Sequence, residues 1–251
     1  MTIERDVQIE RDGRVGVITL NRPEKLNAYT PDMGDELVEV FRSFAADPDI
    51  GAILFTANGR AFCAGADRAF LHGERGRNGL RIGEEYFIDG FVSELFSIDT
   101  PIIAAVNGPA VGIGATMLLA LDIRIASTSA LFSFPFAKLG LMPGMGSTVL
   151  LPAIVGLSRA KDILLSGATL TCAEALDAGL ISQVYSEAKL NQAARERAHM
   201  IASNDGPATA ASKRALAGSL AASLPNAIKG EQREARELAH IRAAQTTSQM
   251  K

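Results

Sequence analysis

The 251-residue sequence predicts an α/β fold, and three observations carry that expectation. Short apolar, β-prone runs at residues 15–20, 50–56, 101–106 and 123–126 are separated by helical patterns or long connections. That alternation marks crossover units and a largely parallel sheet. Beyond about Pro143 the apolar spacing becomes helical, interrupted by a strand-like run at 181–185. Apolar residues make up 47% and charged residues 21%, an ordinary globular balance that excludes disorder, collagen-like repeats and disulfide scaffolds.

The elements follow in order. Val15, Val17, Ile18 and Leu20 stand behind Asp12-Gly13, a turn signal that predicts an opening hairpin. Thr30-Pro31 supplies an N-cap and a first-turn proline. Met33, Leu37, Val40, Phe41 and Phe44 then keep one helical face. A glycine-dotted segment runs over 57–81, and a helix is expected over 83–97. An apolar helix follows the strand at 101–106, starting near Gly112. Leu190, Ala194, Ala198 and Ile201 mark another helical face, and two Ala-rich helices are expected over 208–222 and 225–244. The division read from this pattern is a core over residues 1–190 and a helical C-terminal region over 191–251.

Charge and cysteine usage narrow the function. The formal net charge is −3, a poor balance for wrapping nucleic acid, so no nucleic-acid partner is expected. Cys63 and Cys172 stand far apart without nearby His, so neither a zinc site nor a disulfide framework is indicated. The most apolar stretch, 110–121, is too short to span a bilayer, and no membrane partner is expected. The first six residues are polar and charged, unlike a secretory signal. A cytoplasmic protein is the expectation.

Two glycine-bearing turns carry the chemistry. After the 101–106 strand comes Asn107-Gly-Pro-Ala-Val-Gly-Ile-Gly-Ala-Thr116. A helix starting there offers unpaired N–H groups that suit phosphate or an oxyanion; the bland alternative is a tight turn for close packing. Phosphate is the weaker option, since Met117 stands where a dinucleotide fingerprint needs glycine. Ala61-Phe-Cys-Ala-Gly-Ala-Asp67 is a second such turn after the 50–56 strand. Two turns following neighbouring parallel strands can bring one backbone donor each to a common point. Asp67 reads either as part of that site or as a helix cap.

Together with Asn21-Arg-Pro-Glu-Lys-Leu-Asn-Ala28, Pro101-Ile-Ile-Ala-Ala-Val106, Asp122-Ile-Arg-Ile-Ala-Ser127, Leu139-Gly-Leu-Met-Pro-Gly144 and Ala173-Glu-Ala-Leu-Asp-Ala-Gly-Leu180, these turns give the chain a resemblance. Over nearly its whole length it resembles the enoyl-CoA hydratase/isomerase (crotonase) family. The resemblance implies a crotonase (ClpP-like) spiral of ββα units with C-terminal trimerisation helices, as a homotrimer or a dimer of trimers. It also implies an acyl-CoA thioester substrate, with coenzyme A part of that substrate and no further cofactor or metal. The enolate-stabilising amides fall on Ala66 and Ile113. Lys25, Ala64, Asp67 and Arg68 fall where the family lines its CoA site. Lys25 and Arg68 either meet CoA phosphates or stand as solvated surface cations.

Departures from the family limit the chemistry. The two hydratase glutamate positions hold Thr116 and Phe136, neither of which can serve as a carboxylate base, so ordinary hydration is not expected. The motif neighbourhood is most similar to peroxisomal-type Δ3,Δ2-enoyl-CoA isomerases, yet their acid position holds Gly144. Glu84, Glu85 and Asp89, on the helix expected over 83–97, are candidate substitutes, with Glu85 and Asp89 on one face; a solvated charged face is the alternative. His72 and the Gly/Arg-rich 73–81 stretch read as a mobile loop near the pocket. The leading expectation is thus an isomerase-like acyl-CoA enzyme. The alternative is an acyl-CoA binder or a re-purposed member performing thioester hydrolysis or decarboxylation. A serine hydrolase is a remote rival, because Ser158 and Lys161 keep S-x-x-K spacing without any companion motif.

Overall fold

In the computed structural model, residues 5–249 are described, with side chains through residue 245. β1 (Val7–Asp12) and β2 (Val15–Leu20) form the expected hairpin, with Asp12 opposite Val15 and Gly13 at φ 59° in the turn. Such a left-handed position is where glycine costs least. α1 (Pro31–Ala46) starts at the Thr30 cap, whose Oγ1 accepts from the Met33 N–H at 3.1 Å. β3 (Ala52–Ala57), β4 (Ile102–Val106), β6 (Ile123–Ser127) and β9 (Gln183–Tyr185) complete a six-stranded sheet of order β1-β2-β3-β4-β6-β9. Only β1 runs antiparallel to its neighbour.

Continuous apolar runs suit these strands because both sheet faces are covered. Val15, Val17, Leu54, Ile103 and Ile125 face one layer, where α9 (Glu187–Ala202) lays down Leu190, Ala194, Ala198 and Ala202. Ile18, Leu20, Ile53, Phe55 and Val106 face the other, with Met33, Leu37 and Phe41 of α1. Fully burying each such side chain stabilises by about 1.5–3 kcal/mol, so the two-sided burial dominates the core.

A second sheet was not legible in the sequence. β5 (Ala110–Val111), β7 (Leu131–Ser133) and β8 (Thr169–Thr171) pair in the order β5-β7-β8. Strands of two or three residues are too short to show an alternating period. The helix expected over 83–97 is shorter and irregular. Backbone hydrogen bonds start at Glu85, a π-type turn covers Phe87–Phe91, and α3 (Val92–Leu95) follows α2 (Arg68–Leu71) in the helix series. The aromatic cluster explains the distortion: Phe87 stacks on Tyr29 at 5.5 Å and on Phe91 at 5.8 Å, so both phenylalanines point inward. The helix after Gly112 is likewise one turn, α4 (Ile113–Thr116), continued by a 3-10 turn at Met117–Ala120.

α5 (Phe136–Leu139), α6 (Ser147–Val155), α7 (Leu157–Ser166) and α8 (Cys172–Asp177) precede β9. The two expected C-terminal helices are one, α10 (Gly206–Gln249), with Pro225 in its interior. Leu224, Ile228 and Glu231 recur at i, i+4 and i+7 and are buried, with α6 among the elements α10 packs against. Their burial offsets the roughly 3 kcal/mol that an interior proline costs, which is why the break expected at Pro225 does not occur. None of the helices is long and apolar enough to cross a membrane among the described residues.

Candidate active site

The Asn21–Ala28 motif works as a scaffold. Leu26 and Asn27 both adopt positive φ, and the buried Asn27 side chain is fully used. Its Oδ1 accepts from the Arg22 N–H at 2.7 Å, and its Nδ2 donates to the carbonyls of Asn58 and Ala61 at 2.8 and 2.9 Å. Arg22 donates to the Ala28 carbonyl at 2.6 Å and pairs with Asp67 at 3.3 Å. The motif thereby holds the 61–67 turn against the body of the protein.

That turn is then stitched from both sides by backbone bonds. Ala64 N–H donates to Leu26 O, Tyr29 N–H to Gly65 O, Asp67 N–H to Tyr29 O and Val111 N–H to Cys63 O, all between 2.8 and 3.0 Å. The parallel bridge Tyr29↔Ala66 uses the Gly65 carbonyl and the Asp67 N–H and leaves the Ala66 N–H without an acceptor among the described residues. Ile113 is the first residue of α4, so its N–H also lacks an intrahelical partner. Gly112, at φ 55°, makes the corner. Gly114 lets α4 lie against the turn: a Cβ there would come within 2.4 Å of Cys63 O. With only four residues in α4, the site relies on the N–H groups themselves more than on a helix dipole.

Ala64, Ala66 and Ile113 line one cavity of about 390 Å³, whose wall is mostly apolar. The Ile113 side chain is buried in the main core, and the residue borders the cavity. The other predicted residues lie outside that wall. Asp67 caps α2 through the Ala69 N–H at 3.1 Å, so the cap reading fits its geometry. Lys25 and Arg68 are exposed and engage no other described side chain. His72 closes α2, its Nδ1 2.6 Å from the Arg68 carbonyl. The 73–81 stretch is tied to α1: Arg77 pairs with Asp32 and Glu36 at 3.4 and 2.9 Å, and Asn78 donates to Asp35 at 2.6 Å. Ser158 and Lys161 sit exposed on α7, away from the cavity.

Thr116, Phe136 and Gly144, the three positions expected to lack an acid, all border the cavity. The Thr116 hydroxyl donates to Ile113 O at 3.3 Å. Burial pushes the nearby Cys63 thiol up to about 11, so it is no nucleophile at neutral pH. Of the candidate replacement carboxylates, Glu84 and Glu85 are off the wall and Asp89 is on it. Glu85 and Asp89 share a turn, with Asp89 N–H donating to Glu85 O at 3.1 Å, yet their side chains enter different surroundings. Glu85 is fully buried and accepts from the Tyr29 hydroxyl and the Gly83 N–H, each at 2.7 Å. Burial raises its pKa above the ordinary value, against the lowering effect of those hydrogen bonds. Its role is structural, which corrects its candidacy as a base.

One wall carboxylate was missed in the sequence. Glu231 of α10 is buried; its Oε2 accepts from Gly146 N–H at 2.8 Å and its Oε1 from Thr148 N–H and Oγ1 at 2.8 and 2.6 Å. Just before those anchors Met145 sits at φ 61°, a strained position for a non-glycine residue. Burial raises the Glu231 pKa while the three donors oppose that rise. The sequence signal was an acid interrupting the apolar stripe Leu224, Ile228 and Ala235.

Fold and site together define an α/β protein with an apolar cavity bordered by two glycine-bearing turns, on which the Ala66 and Ile113 N–H groups have no acceptor among the described residues. Comparison with known proteins gives this architecture a family. The family model for enoyl-CoA hydratase/isomerase matches residues 10–250. A probable enoyl-CoA hydratase of Mycobacterium bovis is 36% identical over 240 residues, covering 93% of this chain and 89% of that protein. The 1,2-epoxyphenylacetyl-CoA isomerase of Escherichia coli is 38% identical over 196 residues, covering 75% and 72%. The crystal structure of an enoyl-CoA hydratase/isomerase from Pseudoalteromonas atlantica superposes with a TM-score of 0.85 at 34% identity, covering 93% and 91%. The chain belongs to the enoyl-CoA hydratase/isomerase family and has the crotonase fold.

Proposed function

We propose that the cavity accepts the acyl part of a CoA thioester and that the Ala66 and Ile113 amides hold the thioester oxygen as enolate charge builds on it. The carrying observation is that Ala66 and Ile113, from two separate glycine-bearing turns, each have an N–H group without an acceptor among the described residues and border the same apolar cavity. Preorganised donors of this kind are worth about 10²–10³ in rate apiece. The reaction proposed is the shift of a double bond from the 3 to the 2 position. Hydration is disfavoured because Thr116 and Phe136 replace the acids it requires. Lys25 and Arg68, exposed beside the turns that build the site, are proposed to meet CoA phosphates. The shift needs no cofactor beyond the coenzyme A of the substrate, and a trimer or a dimer of trimers is the proposed assembly.

The test offers 3-enoyl-CoA and 2-enoyl-CoA thioesters of several chain lengths to the purified protein and follows absorbance of the conjugated thioester. Conjugation appearing from 3-enoyl substrates supports the reading. Loss of conjugation from 2-enoyl substrates as the main reaction overturns it in favour of hydration. A second reading, an acyl-CoA binder or a thioester-hydrolysing or decarboxylating member, is favoured by the acid-free positions Thr116, Phe136 and Gly144. It predicts calorimetric binding of CoA thioesters without isomerisation.

A further inference from the structure

Resting on the enolate reading above, we propose that Asp89, oriented by Gln232 of α10, is the carboxylate that moves the substrate proton. Two carboxylates border the cavity among the described residues, and their surroundings assign them different work. Glu231 receives three hydrogen bonds from Gly146 and Thr148, one on Oε2 and two on Oε1, and is only 4% exposed. Its lone pairs fasten the start of α6 to α10. Asp89 has a different environment. One carboxylate oxygen, Oδ1, accepts from Gln232 Nε2, and Oδ2 engages no other described residue. That oxygen keeps the lone pairs a proton acceptor needs.

The clamp joins two distant segments at the cavity wall. Asp89 comes from the turn before α3 and Gln232 from α10, 143 residues later in the chain. Gln232 is placed by its neighbour, since Glu231 is anchored to the 146–148 backbone. A base reached by a single neutral donor is held in orientation without being neutralised by a cation. Gln232 is therefore the positioning residue and Asp89 the catalytic one, while the buried Glu231 anchors α10.

The chemistry balances with this one group. Asp89 takes a proton from C2 of a 3-enoyl thioester. The C2–H electron pair moves into the C1–C2 bond, and the carbonyl π pair moves onto the thioester oxygen, which the Ala66 and Ile113 amides hold. The resulting carboxylic acid returns the same proton at C4. The C3–C4 π pair forms the new C4–H bond, C2=C3 forms and the carbonyl is restored. No co-reactant is consumed.

The experiment measures 3-enoyl-CoA isomerisation and calorimetric binding of a saturated acyl-CoA for the full-length wild type, Asp89→Asn, Asp89→Ala and Gln232→Ala. Loss of a general base costs about 10²–10⁴ in rate, and that loss is expected in both Asp89 variants with thioester binding nearly unchanged. Added formate should restore turnover to Asp89→Ala and not to Asp89→Asn, whose amide fills the space. Gln232→Ala should lower kcat about tenfold with KM unchanged. Isomerisation at the wild-type rate in Asp89→Asn overturns this assignment and leaves the enolate reading standing. A wild type that binds thioesters without isomerising them, or binds none, overturns both.

Discussion

The two walls of the cavity are built in opposite ways. On one wall the 61–67 turn and the β5–α4 corner are fixed by backbone bonds of 2.8–3.0 Å and offer backbone N–H groups. The other wall is made by side chains: Asp89 and Ile88 from the turn before α3, Ile228, Glu231 and Gln232 from α10, and Phe136 of α5. Donors made from backbone survive changes of side chain, as Ile113 shows by carrying a buried side chain and an unengaged amide together. Groups made from side chains can be exchanged one at a time. On the proposed reading, the first wall keeps the means of polarising a thioester and the second is where proton chemistry is set.

If the difference is real, a carboxylate should be portable across the second wall. The largest effect is expected from adding Gly144→Glu to Asp89→Asn. A Cβ at Gly144 meets nothing within 4 Å, so the new side chain has room. Isomerisation should recover by at least about tenfold from the 10²–10⁴-fold loss, as stopped-flow absorbance would measure. No recovery would mean that the second wall needs Asp89 in its own place.

The first wall should fail by unfolding of the scaffold. Asn27→Ala removes the ties to Arg22, Asn58 and Ala61 and places alanine at φ 52°. A loss of roughly 2–4 kcal/mol is expected in urea unfolding, from unmet buried groups plus strain. A change below about 0.5 kcal/mol would show that the backbone stitching suffices alone.

Buried carboxylates should reveal themselves through pH. Burial raises the folded-state pKa of Glu85 and Glu231 above the ordinary 4.5. A raised value stabilises fully below the unfolded pKa and is lost as pH rises through the folded one. Wild type should therefore lose stability relative to Glu85→Gln as pH rises above the ordinary 4.5. A gap that stays constant as pH rises above 4.5 in parallel urea titrations would count against burial as the cause.

The smallest effects belong to the exposed cations. Lys25→Ala and Arg68→Ala should each raise KM for CoA thioesters about two- to fivefold, leave kcat alone, and do so less in high salt. Unchanged KM at low ionic strength would make them surface cations only.

How much of this was legible in the sequence depends on range. The hairpin, the Thr30 cap, the doubly buried strands and the two glycine turns were readable, because period, capping and turn chemistry act within a few residues. The assignment of donor roles to Ala66 and Ile113 came from the family resemblance of the motifs, not from the local pattern. Tertiary structure decided the rest. Strands as short as β5 and β8 exist only through their partners, and α10 passes Pro225 only because Leu224 and Ile228 are buried on the body of the protein. The sequence placed Glu85 and Asp89 as equals on one helix; the fold turned one toward Tyr29 and the other toward Gln232. Such convergence depends on packing between distant segments, and no local pattern encodes which side of a turn will face a cavity.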